Sequence, residues 1–167
     1  MAPRVVLVGL PGTGKSTVGA ALATLLALPF ADTDDLVMQM TGRSVPEIFA
    51  DDGEAAFREI EAAAIADALL DFDGILALGG GAVTTDAVRE ELHASGVPIV
   101  LLTAEQDVLL ARLAGTGHRP LVAGDTAARL TELTAQREPL YLEVATLTVE
   151  TDFATTDEVA ADVASRL

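Results

Sequence analysis

The chain has 167 residues, half of them hydrophobic but only 4% aromatic, with no cysteine and a formal net charge of −16. That length supports one domain with a substantial core. The acidity excludes nucleic acid and anionic membrane surfaces as partners, and the absence of cysteine removes disulfides, thiolate metal sites and a thiol nucleophile.

The first predicted element is a strand over residues 5–8, Val-Val-Leu-Val. It runs into Gly9-Leu10-Pro11-Gly12-Thr13-Gly14-Lys15-Ser16, a G-x-x-x-x-G-K-[ST] pattern followed by Thr17. Glycines in such a loop let main-chain N–H groups turn towards phosphate oxygens, and the following helix presents its positive end. Lysine reaches the β- and γ-phosphates and the serine hydroxyl suits Mg²⁺. Lys15 is the only lysine in the chain. A helix-period stretch over 18–28 follows, so strand, loop and helix come in the order that phosphate binding requires.

A second strand over 29–31 leads into Asp32-Thr33-Asp34-Asp35. Carboxylates at the C-terminal edge of a parallel sheet face the ligand crevice. One can serve Mg²⁺ and another a substrate hydroxyl; a turn with a helix N-cap is the plainer reading. Residues 34–72 form a long helical insertion, with Ser44-x-x-Glu47 as a capping box and a helix over 53–72 carrying Arg58 between Glu54 and Glu61. On spacing alone those three make a helix-surface ion pair.

The third strand, 75–78, ends in Gly79-Gly80-Gly81 with no acidic residue. A metal carboxylate must then come from elsewhere, and Asp32 is the candidate. Three glycines allow close approach of a ligand and expose N–H donors. The fourth strand, 98–102, precedes a predicted capping box, Thr103-x-x-Gln106, and Arg112 lies in the helical stretch beyond it. Residues 115–125 contain Gly117-His118-Arg119-Pro120-Leu121 and suit a flap over the phosphates. Arg137 opens Arg-Glu-Pro-Leu-Tyr, ending at Tyr141; a fifth strand over 147–149 and a capping box at Thr155-x-x-Glu158 complete the chain. His93 and His118 lack metal-ligand spacing and are expected at the surface. Short apolar strands alternating with helices predict a parallel sheet covered on both faces, a three-layer α/β/α domain. The N-terminus shows no secretion leader, and no apolar stretch approaches the ~20 residues of a membrane span, so a cytoplasmic protein is expected.

In order along nearly the whole chain, the phosphate loop, Asp32-Thr33-Asp34, Thr41-Gly42-Arg43-Ser44 with Glu47-Ile48-Phe49, Phe57-Arg58 to Glu61, the triple glycine, Arg119-Pro120-Leu121 and Arg137-x-Pro139-x-Tyr141 resemble the shikimate kinase family. The resemblance implies a nucleoside-monophosphate-kinase-like P-loop fold with a five-stranded parallel sheet in order 2-3-1-4-5. It also implies one kinase domain over 1–167, with an acceptor-binding insertion near 34–61 and a flap near 112–125. The implied reaction is ATP-dependent phosphorylation of the 3-hydroxyl of shikimate by a monomer.

By motif position, Gly12, Thr13, Gly14, Lys15, Ser16, Thr17, Arg112 and Arg119 would meet ATP, and Ser16 and Asp32 would hold Mg²⁺. Asp34, Phe49, Phe57, Arg58, Gly79, Gly80, Gly81 and Arg137 would bind the acceptor, with Lys15, Asp34 and Arg119 at the chemistry. Residues 151–156, Thr-Asp-Phe-Ala-Thr-Thr, lack the arginine and proline that this family commonly carries over adenine. Two other readings stay open on sequence: a kinase of another polyhydroxy acid such as gluconate, and a catalytically silent nucleotide-binding module.

Overall fold

The computed structural model describes residues 2–116 and 126–167. The strands are β1 (Val5–Val8), β2 (Phe30–Asp32), β3 (Ile75–Ala77), β4 (Ile99–Thr103) and β5 (Leu147–Glu150). They pair in parallel in the order β2-β3-β1-β4-β5, as expected. Val6 stands opposite Leu76 on one side and Ile99 on the other.

β1 explains the layering. All four of its residues are buried, and successive side chains of a strand point to opposite faces. Val6 and Val8 pack with Ile65, Leu69, Val88, Leu92 and Val144, which belong to helices α3 (Val45–Asp71), α4 (Asp86–Ser95) and α6 (Thr126–Val144). Val5 and Leu7 pack instead with Val18, Leu22, Val159 and Val163, from α1 (Lys15–Leu26) and α7 (Thr156–Ser165). Burying each of these valines and leucines contributes roughly 1.5–3 kcal/mol. The continuous apolar run is therefore what a central strand between two helical layers needs. Among the described residues, no helix is long and apolar enough to cross a membrane.

The insertion consists of α2 (Thr33–Thr41) and α3. Two of the three predicted N-caps form: Ser44 accepts from the Glu47 amide and Thr155 from the Glu158 amide. Helix α3 begins at the first of these, earlier than the predicted start at residue 53. It is interrupted at Gly53, whose φ of 88° and ψ of 172° are non-helical and suit a residue without Cβ.

The third box does not form as predicted. Thr103 remains in β4, and its carbonyl accepts from the Thr151 amide. Helix α5 (Gln106–Thr116) starts later, and the Glu105 amide at its entrance is satisfied by the Asp152 carboxylate at 2.6 Å. The capping group comes from a distant stretch of chain, and sequence spacing cannot reveal it.

Candidate active site

The turn after β1 reverses into α1 through Gly14, at φ 90° and ψ 23°, and no side chain caps the helix. The first α1 amide paired within the turn is Val18, which donates to the Gly14 carbonyl. Lys15, Ser16 and Thr17 form the first turn of the helix, whose amides point away from the helix's own carbonyls, and all three line a cleft of about 300 Å³. Thr13 faces inward, closing the turn on the Leu10 carbonyl through its amide at 3.3 Å and its hydroxyl at 2.8 Å. The Lys15 ammonium spans the loop to the carbonyls of Gly9 at 2.7 Å and Leu10 at 3.1 Å.

Asp32 ends β2 and caps α2, and its two carboxylate oxygens have different partners. Oδ1 accepts from the Asp34 amide at 2.9 Å, whereas Oδ2 accepts from the Ser16 hydroxyl at 2.9 Å. The capping and metal readings of the sequence thus use separate oxygens. Among the described residues, no three histidine, cysteine, aspartate or glutamate side chains cluster as a metal site. One hydroxyl beside one carboxylate fits Mg²⁺, which takes few protein oxygens and completes its shell with phosphate and water.

The three glycines after β3 lie where four charged side chains converge. A Cβ on Gly79 would stand 3.1 Å from Glu61 Oε2 and 3.3 Å from Asp34 Oδ1. One on Gly80 would stand 3.3 Å from Arg137 Nη1, and one on Gly81 would collide with the Arg58 guanidinium. Glycine is needed here because side chains from α2, α3 and α6 approach the main chain closely. Gly79 and Gly80 line the same cleft as Lys15, Ser16, Asp32 and Asp34. The Gly79 amide is taken by the Thr33 hydroxyl at 2.8 Å, so it differs from the exposed donor expected at that position.

Arg58 donates to Glu61 Oε1 at 2.9 Å and to Glu54 at 3.4 Å. This is not a surface pair: Glu61 is 1% exposed and Arg58 17%. Burial raises the Glu61 pKa above 4.5 and the Asp34 charge adds to that, while Arg58 and, more weakly, Arg137 oppose it. Arg58 also lies over the Phe57 ring, 5.1 Å from its centroid. Phe57 belongs to the insertion's own core with Val37 and Ile48. Phe49 packs 4.8 Å from it and is partly exposed.

Arg112 lies inside α5, short of any loop. It donates to the Gly12 carbonyl at 3.1 Å and to Thr151 Oγ1 and O at 3.1 and 2.9 Å. It therefore ties the phosphate loop to the end of β5. Phe153, two residues on, is 99% exposed. His93 is exposed at the surface, as expected. Arg119 and His118, with residues 117–125 of the predicted flap, lie outside the described residues. Three groups at the site had no assigned role on sequence: Thr33, Glu61 and Tyr141. All three lay inside motifs, but only the fold shows that they turn inward.

A family model described as shikimate kinase matches residues 11–167. The chain is similar to the shikimate kinase of Mycobacterium tuberculosis (strain ATCC 25177 / H37Ra), at 47% identity over 168 residues that cover 100% of this chain and 94% of that protein. Similarity to the shikimate kinase of Mycobacterium avium (strain 104) is 46% over 168 residues, with 100% and 94% covered. Among solved structures, shikimate kinase from Acinetobacter baumannii in complex with shikimate superposes with a TM-score of 0.90 at 34% identity, over 99% of this chain and 92% of that one. A gluconokinase from Sinorhizobium meliloti 1021 matches at a TM-score of 0.68 and 21% identity, over 99% and 95%, a likeness of fold alone.

Proposed function

The chain belongs to the shikimate kinase family, and on that premise we propose how its cleft transfers the terminal phosphoryl group of ATP to the 3-hydroxyl of shikimate, a step towards chorismate and the aromatic amino acids. The observation that carries this reading is the convergence of Asp34, Arg58 and Arg137 on the triple glycine, of which Gly79 and Gly80 line the same cleft as Lys15, Ser16 and Thr17.

Phosphoryl transfer asks mainly for positioning and charge neutralisation. The α1 amides of residues 15–17 and the Lys15 ammonium receive the β- and γ-phosphates, Lys15 exchanging its carbonyl partners for phosphate oxygens. Gly12, Thr13 and Gly14 shape this cradle. Arg112, already bonded to the Gly12 carbonyl, steadies it from the nucleotide side, and Arg119 contributes from the flap. Ser16 and Asp32 would hold Mg²⁺, whose contribution when bound is to neutralise phosphate charge.

Shikimate is a carboxylate with three hydroxyls. Guanidinium forks suit its carboxylate, so Arg58 and Arg137 orient that end, beside Gly80 and Gly81. Asp34, at the Gly79 end of the turn, accepts a hydrogen bond from the attacking hydroxyl and chiefly orients it; its carboxylate can also take the proton as the hydroxyl oxygen bonds to the γ-phosphorus and the bond to the β–γ bridging oxygen breaks, with ADP leaving. Phe49 and Phe57 wall the pocket. We place this activity in a single-domain monomer of the cytoplasm.

A coupled ADP-release assay with shikimate and gluconate in parallel tests the reading. Turnover with shikimate supports it, and turnover with gluconate alone ends it. Calorimetric ATP binding without shikimate-dependent turnover would assign the silent nucleotide-binding role instead.

A further inference from the structure

Each arginine beside the triple glycine has its own anchor, and the two anchors differ. Arg58 is held by a carboxylate, Glu61. Arg137 shares α6 with Tyr141, four residues on, a spacing that puts both side chains on one helix face. Tyr141 is buried among Val6, Leu78, Ala82 and Val144. Its hydroxyl donates to the Gly80 carbonyl at 2.5 Å. The Arg137 charge acts on the same phenol, and its Nη1 is 3.3 Å from the position of a Gly80 Cβ. A phenol has one proton to donate and lone pairs to accept with. Here the proton goes to Gly80, which leaves the oxygen's lone pairs for the guanidinium.

We infer that Tyr141 is a positioning residue of the acceptor subsite, a neutral latch that fixes the Gly80 main chain to α6 and holds the Arg137 fork beside it. The inference rests on the acceptor reading given above. Burial pushes the Tyr141 pKa up to about 12, against the opposing pull of Arg137, so the latch stays protonated throughout the working pH range. Its neutrality has a consequence. Glu61 offsets the charge of Arg58, but nothing in the phenol offsets that of Arg137. The latch thus orients a guanidinium without competing for the anion it is to bind.

Tyr141→Phe keeps the ring in its packing and removes the hydroxyl that bonds Gly80 and stands beside Arg137. In the full chain we expect KM for shikimate to rise about tenfold, with kcat within about threefold and KM for ATP unchanged. Hydrogen exchange of residues 79–84 should quicken, with that of α1 and α7 unaltered. Placed on Arg137→Ala, the same change should add less than about twofold to KM, because its effect passes through Arg137. An unchanged KM in Tyr141→Phe, or the full tenfold persisting on Arg137→Ala, overturns the inference. So does a uniform rise in exchange across the sheet, which would mark a merely structural loss. Absence of wild-type turnover with shikimate would overturn the acceptor reading instead, so the two failures are separable.

Discussion

Arg58→Ala separates the acceptor subsite from its structural support, because the proposed reading gives the residue a part in both. The substitution leaves Glu61, 1% exposed, without its 2.9 Å partner. Removing one member of a buried ion pair costs about 3–5 kcal/mol when the orphan stays charged. Glu61 has an escape, since burial already favours its neutral form, and proton uptake limits the loss to about 1.5–3 kcal/mol. For a domain of this size, each kcal/mol moves Tm by about 2–4 °C, so a fall of about 3–12 °C is expected.

The catalytic effect is distinct. Loss of a charge-assisted bond to the shikimate carboxylate removes about 1.5–3 kcal/mol, raising acceptor KM about 10- to 100-fold with ATP binding intact. The double variant Arg58→Ala/Glu61→Gln removes the orphan charge. It should regain at least half of the lost Tm while keeping the high KM. Thermal unfolding and the coupled assay on the wild type and both variants give each Tm and both KM values. An unchanged Tm in the single variant, or no recovery in the double, would refute the buried-pair argument. A raised KM for ATP with a normal KM for shikimate would show that Arg58 belongs to the other substrate.

Lys15→Ala removes the ammonium from the phosphate loop and should lower kcat by about 10²–10³-fold, the scale of losing one preorganised group at the developing charge; single-turnover kinetics with near-normal rates would contradict its role. For Glu61, the raised folded-state pKa means that the folded chain binds this proton more tightly, so its contribution is fully present below 4.5 and is lost as pH rises through the folded value. The Tm of wild type minus that of Glu61→Gln should accordingly be greatest near pH 4.5 and shrink as pH rises, whereas a difference growing with pH would reverse the argument. Finally, a net charge of −16 repels both anionic substrates at long range, and raising salt from about 10 to about 150 mM shortens the screening length from ~30 to ~8 Å. KM for ATP measured over that range should fall a few-fold, and a steady rise from the lowest salt would show that local cations govern capture throughout.

The strands and the phosphate loop were legible because each is written in contiguous residues, whereas the order 2-3-1-4-5 came from the family resemblance. Strand β1 states its burial on both faces by having no polar alternation. Gly12, Gly14 and Lys15 state their task through spacing. Other features depended on partners distant in the chain. Arg58, Glu54 and Glu61 read as a helix-surface pair, since an i,i+3 spacing says which residues meet but not which face is buried. The side of α3 carrying Glu61 is set by the glycine turn after β3. Thr33 looked like turn chemistry until Gly79, 46 residues away, supplied the N–H that it accepts. Arg112 was expected to meet nucleotide, but in the structure its donors reach Gly12 and Thr151, which makes it a brace behind the loop as well. The shift of the α5 start from Thr103 to Gln106 has the same origin, since Asp152 does the capping across space.

How so acidic a chain holds two anions is a question of range. On a body of ~20 Å radius, a charge of −16 repels each unit of ligand charge by about 3 kcal/mol before screening, and by about 1 kcal/mol at physiological salt. A single cation about 4 Å from the ligand attracts it by about 4 kcal/mol at the effective dielectric of a partly exposed site. Per unit of ligand charge at physiological salt, one well-placed cation therefore outweighs the field of the whole surface, and a polyanion calls for several: Lys15 from α1 and Arg112 from α5 line the cleft, and Arg58 and Arg137 stand beside the glycine turn. Scattering cations over the surface would weaken the far-field repulsion without adding this close attraction. With few basic residues elsewhere, ligand charge finds its strongest attraction at these groups, and on the proposed reading Asp34 then orients the acceptor.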